Sequence, residues 1–139
     1  MEKYKLGYTT GVFDMFHIGH LNLLKHAKEK CDFLIVGVST DELVMEYKHK
    51  KPVIPYDERI AIISAISYVD KVVKQETLNK MDVWKVYKFD VLFHGSDWKD
   101  SDLYNKIEAE FGNIGVDVVY LPYTQGISST LLVKELHNE

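Results

Sequence analysis

Thr10-Gly11-Val12-Phe13-Asp14-Met15-Phe16-His17-Ile18-Gly19-His20-Leu21 is the stretch on which the reading of this chain turns. Upstream of it, Tyr4–Thr10 reads as a strand. Downstream, Leu21, Leu24 and Ala27 recur at helical spacing within His17–Lys30. The stretch itself is therefore a strand end, a glycine turn and a helix start. Beyond the helix, Phe33-Leu34-Ile35-Val36-Gly37-Val38 is an unbroken apolar run, as expected of a strand covered on both faces. The three pieces make a βαβ unit.

The alternation continues to the end of the chain. Pro55 is placed to start a helix with Ile60, Ile63 and Ile66 on one stripe, and Lys71-Val72-Val73 reads as a short strand after it. A helix at Asp82–Lys88, a strand at Val91-Leu92-Phe93, a helix at Asp102–Phe111, a strand at Val116–Leu121 and a closing helix at Ser128–His137 complete the pattern. Strands alternating with helices predict an α/β fold, and right-handed crossovers reduce it to a Rossmann-like, doubly wound, five-stranded parallel sheet. Ligands in such sheets sit at the carboxyl ends of the strands, where the quoted stretch lies.

The chain has 139 residues, which fits one domain spanning 1–139, with no internal repeat and no evident linker. Its 17 Lys and Arg against 21 Asp and Glu leave a net charge of -4, so it lacks the positive field that grips a duplex, and no nucleic-acid partner is expected. No apolar stretch approaches the roughly 18 residues needed to cross a bilayer, so no membrane partner is expected either. A single cysteine, Cys31, forms no intramolecular disulfide framework, and its place before an apolar run suits a buried thiol. These features lead us to expect a cytoplasmic protein.

Neither a dinucleotide glycine fingerprint nor a P-loop is present, since Gly7 and Gly11 stand alone and no Gly-Lys-Ser/Thr occurs. His17 and His20, three apart at a helix N-terminus, share one face where backbone N–H groups and the helix dipole already favour an anion. Gly19 between them carries no side chain, which lets a phosphate chain approach the backbone. Two histidines on an amphipathic helix would be the plainer reading, and the strand, the glycine turn, Asp14 and Gly19 together speak against it. A zinc site is the other rival. His26 falls on a different face, and no local cysteine or carboxylate completes a ligand set.

With these residues in view, the sequence resembles the HxGH nucleotidyltransferases and, more closely, the cytidylyltransferases. The likeness runs through Gly11-Val12-Phe13-Asp14, His17-x-Gly-His20, Ser39-Thr40-Asp41-Glu42 and the lysines that follow. It continues through Tyr56-Asp57-Glu58-Arg59, Tyr68-Val69-Asp70, Gly95-Ser96-Asp97-Trp98 and Thr124-Gln125-Gly126-Ile127-Ser128-Ser129-Thr130. It implies transfer of CMP from CTP to the phosphate of a small polyol with release of pyrophosphate. A Mg²⁺ or other divalent ion held by substrate phosphates, a homodimer and a product that feeds surface-polymer or capsule synthesis are implied with it. Glycerol 3-phosphate is the leading acceptor, and ribitol or hexitol phosphate the nearest rival. An adenylyltransferase of the same superfamily and a non-catalytic nucleotide sensor are the alternative readings.

The resemblance also implies roles residue by residue. His17, His20 and Lys48 would be catalytic. Thr10, Gly11, Val12, Phe13, Asp14, Gly19, Lys50, Asp97, Trp98, Thr124, Gly126, Ile127, Ser128, Ser129 and Thr130 would bind the nucleotide. Lys48, Arg59 and Lys80 would bind the acceptor. The basic run Lys48-His49-Lys50-Lys51 would be a solvated surface in most chains, and mobile lysines can also close over substrate as point charges. Arg59 is the only arginine of the chain. Two departures accompany the match: Tyr123 and Ser67 stand where relatives of this kind commonly carry arginines, which removes two phosphate grips.

Overall fold

The β-branched and aromatic runs become five strands. A computed structural model describes residues 3–96 and 100–122, in which β1 (Tyr4–Gly11), β2 (Cys31–Ser39), β3 (Lys71–Gln75), β4 (Val91–Gly95) and β5 (Asp117–Leu121) form one sheet of order β3-β2-β1-β4-β5. Every neighbouring pair is parallel, with Tyr4 opposite Cys31, Tyr8 opposite Leu92, Ile35 opposite Lys71 and Leu92 opposite Val118. The chain winds outward from β1 to β3, returns to the centre and winds outward again to β5. The winding direction reverses between β1 and β4, and in sheets of this kind such a switch point is where ligands bind, outside the carboxyl ends of the strands.

Helices cover both faces. On one, α1 (Ile18–Glu29) and α3 (Tyr56–Ser64) pack Leu24, Ala27 and Ile63 against Leu34, Val36, Val38 and Phe93. Ile60 and Ile66 join this cluster, as the predicted stripe requires. On the other, α4 (Lys80–Tyr87) and α5 (Asp102–Gly112) cover Tyr8, Ile35, Leu92 and Val116 with Trp84, Tyr104, Ile107 and Phe111. Such two-sided burial is why β2 reads as a continuous apolar run rather than an alternating one.

Element boundaries shift where capping chemistry decides them. Helix α1 begins at Ile18, one residue later than predicted, because His17 is its N-cap. Helix α4 begins at Lys80 rather than Asp82, since Asn79 Oδ1 accepts from the N–H groups of Met81 and Asp82. One helix is absent from the sequence reading, α2 (Asp41–Lys48). Thr40 Oγ1 caps it by accepting from Leu43 N at 3.1 Å, Asp41 and Glu42 suit the positive end of its dipole, and Leu43 and Val44 are buried. The expected helix Ser128–His137 lies outside the described residues. Among the described residues no helix is long and apolar enough to cross a membrane.

Candidate active site

The β1–α1 loop crosses the carboxyl end of β1 in an uncommon backbone. Phe13 (φ 56°) and Met15 (φ 48°) both occupy the left-handed region, which costs a non-glycine residue about 1–3 kcal/mol and persists only where surrounding contacts impose it. Here they do. The Phe13 ring is buried, and a Cβ added to Gly11 would come within 3.2 Å of it, so Gly11 leaves the space that the ring fills.

The two histidines close this loop onto α1 as a reciprocal cap. His17 Nδ1 accepts from Gly19 N at 3.0 Å, and His20 Nδ1 accepts from His17 N at 3.2 Å. Each imidazole therefore has its Nδ1 lone pair engaged by a backbone donor, which fixes the neutral tautomer with the proton on Nε2. The rings stack with centroids 3.9 Å apart, and His20 also meets Phe13 edge-on at 5.5 Å and Phe16 face-on at 5.4 Å. Burial pushes His20 down to about 4, helped by neighbouring His17 and opposed by Asp14. Burial also lowers His17. At neutral pH the site thus presents two uncharged Nε2–H donors on one helix end.

Asp14 and Arg59 tie this loop to its surroundings. The Asp14 carboxylate accepts from Val53 N at 2.8 Å and from Ile54 N at 2.9 Å. Arg59 is 1% exposed and donates to Ile54 O (2.8 Å), Val12 O (2.7 Å), Ser39 O (2.8 Å) and Asp41 Oδ1 (2.6 Å). Burial works against the Asp41 charge, but the Arg59 and Tyr56 hydrogen bonds outweigh it and hold the carboxyl below its usual range. Expected to grip the acceptor, Arg59 instead lies beneath the site with its donors on three backbone carbonyls and one carboxylate. It acts on the site by fixing the loops that line it.

Lys48 ends α2, and Lys50 lies exposed just beyond it. Partial burial lowers the Lys48 ammonium, the Lys50 charge lowers it further, and the Asp14 carboxylate on the histidine loop opposes them. Lys80 begins α4, and burial alone lowers it to about 8. Thr10 is an internal fastener: its hydroxyl donates to Gly37 O at 3.0 Å, joining β1 to β2, as Thr9 does to Phe93 O on β4. Val12 offers its carbonyl to Arg59, and Gly19 its N–H to His17. Ser67 is exposed in the turn after α3. Asp97, Trp98, Tyr123, Thr124, Gly126, Ile127, Ser128, Ser129 and Thr130 lie outside the described residues. Among the described residues, no three His, Cys, Asp or Glu side chains converge on a position for a metal ion.

Asp41 is the participant that sequence reasoning quoted without a role. Its signal was the Thr40-Asp41-Glu42 cap, which also announces α2.

Known proteins match the chain over nearly its full length. The chain is 36% identical over 138 residues to glycerol-3-phosphate cytidylyltransferase of Staphylococcus aureus, covering 94% of each chain. It is 38% identical over 130 residues to glycerol-3-phosphate cytidylyltransferase of Bacillus subtilis, covering 92% of this chain and 94% of that one. Among solved structures, a lipopolysaccharide core biosynthesis protein from Thermoplasma volcanium superposes with a TM-score of 0.72 at 26% identity, over 87% of this chain and 97% of that one. Residues 8–135 match the cytidylyltransferase-like family, a span that takes in the histidine loop, the lysine segment and the whole winding of the sheet from mid-β1 onward. The chain belongs to the cytidylyltransferase-like family.

Proposed function

We propose that the chain is a glycerol-3-phosphate cytidylyltransferase, transferring CMP from CTP to glycerol 3-phosphate with release of pyrophosphate. The pair of neutral, Nε2–H-presenting imidazoles at the N-terminus of α1 is the observation that carries the reaction class. The base and the acceptor follow from relatives of that name at 36% and 38% identity over nearly full length.

The chemistry needs no covalent protein intermediate. An oxygen of the acceptor phosphate attacks the α-phosphorus of CTP, the bond to the bridging oxygen of the β-phosphate breaks, and pyrophosphate leaves with that electron pair. Negative charge grows on the leaving oxygens as this bond lengthens. Two Nε2–H donors held by backbone caps meet that charge without reorganising, which is where fixed donors lower a barrier most. Their low proton affinity keeps the tautomer constant through neutral pH. Lys48 and Lys50 supply point charges to two phosphate-bearing substrates whose repulsion would otherwise oppose their approach. A divalent ion such as Mg²⁺, held by the substrate phosphates, enters this reading as part of the metal–CTP substrate. A homodimer, a cytoplasmic location and a product that supplies a surface polymer belong to the same proposal.

Pyrophosphate release from CTP or ATP, with glycerol 3-phosphate or ribitol phosphate as acceptor, tests the reading. Turnover with CTP and glycerol 3-phosphate, abolished by EDTA and restored by Mg²⁺, is the expected result. A kcat/KM for ATP equal to that for CTP would remove the cytidylyl assignment, and preference for ribitol phosphate would move the acceptor.

A further inference from the structure

Ile54 is held from both sides. Its N–H donates to Asp14 on the histidine loop, and its carbonyl accepts from Arg59, which also donates to Val12 O on that loop. Val53 N adds a second bond to Asp14. The result is a closed circuit, Asp14–Ile54–Arg59–Val12, that joins the loop ahead of the histidines to the segment directly after Lys48–Lys51. Contact of this kind is not local, since Asp14 and Ile54 are 40 residues apart in sequence.

We propose that Asp14 is a positioning residue rather than a nucleotide contact: through Val53 and Ile54 it latches the lysine-bearing segment onto the histidine loop, setting the acceptor-side charges relative to the transfer site. The carboxylate is suited to this work because two neighbouring N–H groups converge on its two oxygens, a charge-assisted pair that a neutral amide reproduces only in part. Proline at both ends of the latched segment, Pro52 and Pro55, limits the backbone freedom that the latch has to remove. Arg59 is the buried end of the circuit, and Asp14 is the end that bonds directly to the residues following the lysines.

The assignment of the lysine segment to the acceptor rests on the function proposed above, so the test has one arm that needs that function and one that does not. In the first, Asp14→Asn is expected to raise KM for glycerol 3-phosphate and lower kcat, together by roughly 10–100-fold in kcat/KM, the scale of a small misplacement of reacting groups. The Kd for CTP alone, measured by calorimetry, rises no further than it does in Lys50→Ala, since the latch acts on CTP only through that lysine. A loss of CTP affinity larger than that of Lys50→Ala would overturn the proposal and return Asp14 to the nucleotide. In the second arm, limited trypsin digestion reads cleavage after Lys48 and Lys50 in the folded chain. A latch released by Asp14→Asn accelerates this cleavage about tenfold while the thermal midpoint moves little, whereas an unchanged cleavage rate refutes the latch whatever the substrate proves to be. Failure of the functional reading would show separately, as wild-type protein that releases no pyrophosphate from CTP and glycerol 3-phosphate. Arg59→Lys gives a second variant with the same expected pattern, and Asp14→Asn decides the question if loss of the buried guanidinium prevents folding.

Discussion

Two segments meet at the carboxyl edge of the sheet, and they are built on opposite principles. The histidine loop is fixed by the buried Phe13 ring and the rings stacked around His20, two left-handed residues and a reciprocal backbone cap, and it presents uncharged donors. Across from it, the segment from Lys48 to Pro55 is largely exposed, carries full positive charges and is fastened by a few hydrogen bonds to Asp14 and Arg59. The difference maps onto what each must do. Stabilising charge that appears only in the transition state demands donors already in place. Accepting a charged, mobile polyol phosphate is compatible with lysines that adjust after the encounter.

That contrast is broken most severely at the histidines. His17→Ala and His20→Ala are each expected to lower kcat by about 10²–10³, with far-UV circular dichroism unchanged, because each removes a fixed donor to the developing charge. Activity within threefold of wild type would remove that residue from the transfer step. His17→Ala also deletes the N-cap of α1, which adds roughly 1 kcal/mol of lost stability to the kinetic effect and is read from the thermal midpoint.

The lysines sharpen the other side of the comparison. Lys48→Ala is expected to act mainly on KM for the acceptor, and Lys50→Ala mainly on KM for CTP, with smaller falls in kcat than either histidine variant shows. Steady-state kinetics with each substrate varied separates the two. Exposed point charges are also screened, so raising ionic strength should increase both KM values in wild type while leaving kcat nearly constant. Unchanged constants in both variants would make the segment a solvated loop with no part in binding.

The sequence carried the histidine loop almost whole because its determinants are local: strand, glycine, His17 and His20 lie within a dozen residues, and their hydrogen bonds span two or three positions. Strands β2 and β4 were legible for a similar reason, since burial on both faces leaves continuous apolar runs. Helix α2 was missed because its two buried residues, Leu43 and Val44, are adjacent and show no helical period, although the Thr40-Asp41-Glu42 start announces it. The structural setting of Arg59 was not legible because its partners are distant in the chain. Asp41 is 18 residues away and Val12 is 47, and no spacing rule connects them. A lone arginine in a phosphate-handling chain reads as a grip until burial shows the guanidinium turned inward.

The gentlest test of the comparison is pH. His20, with its ordinary value of 6.5 lowered to about 4, binds its proton more weakly folded than unfolded. A group depressed in this way contributes stability that is fully present above pH 6.5 and is lost as the pH falls toward 4, because only the unfolded chain takes up the proton in that window. His17, also lowered by burial, adds a loss of the same sign. For His20 the size is on the order of 1–3 kcal/mol, the upper end being the full shift and the lower end allowing for its partial exposure. Below about pH 4 a separate loss begins, as Asp41 and Asp70, both held below their usual range, take up protons. His20→Gln removes the titration while keeping a neutral side chain that can donate and accept. Urea unfolding at pH 7 and pH 5 should show wild type losing more stability between the two than the variant does, and proton NMR of the wild-type imidazoles should place one midpoint near 4. Equal losses in the two proteins would mean that His20 is solvated and protonates at its ordinary value, and the rigid half of the site would then be no more shielded than the lysine segment facing it.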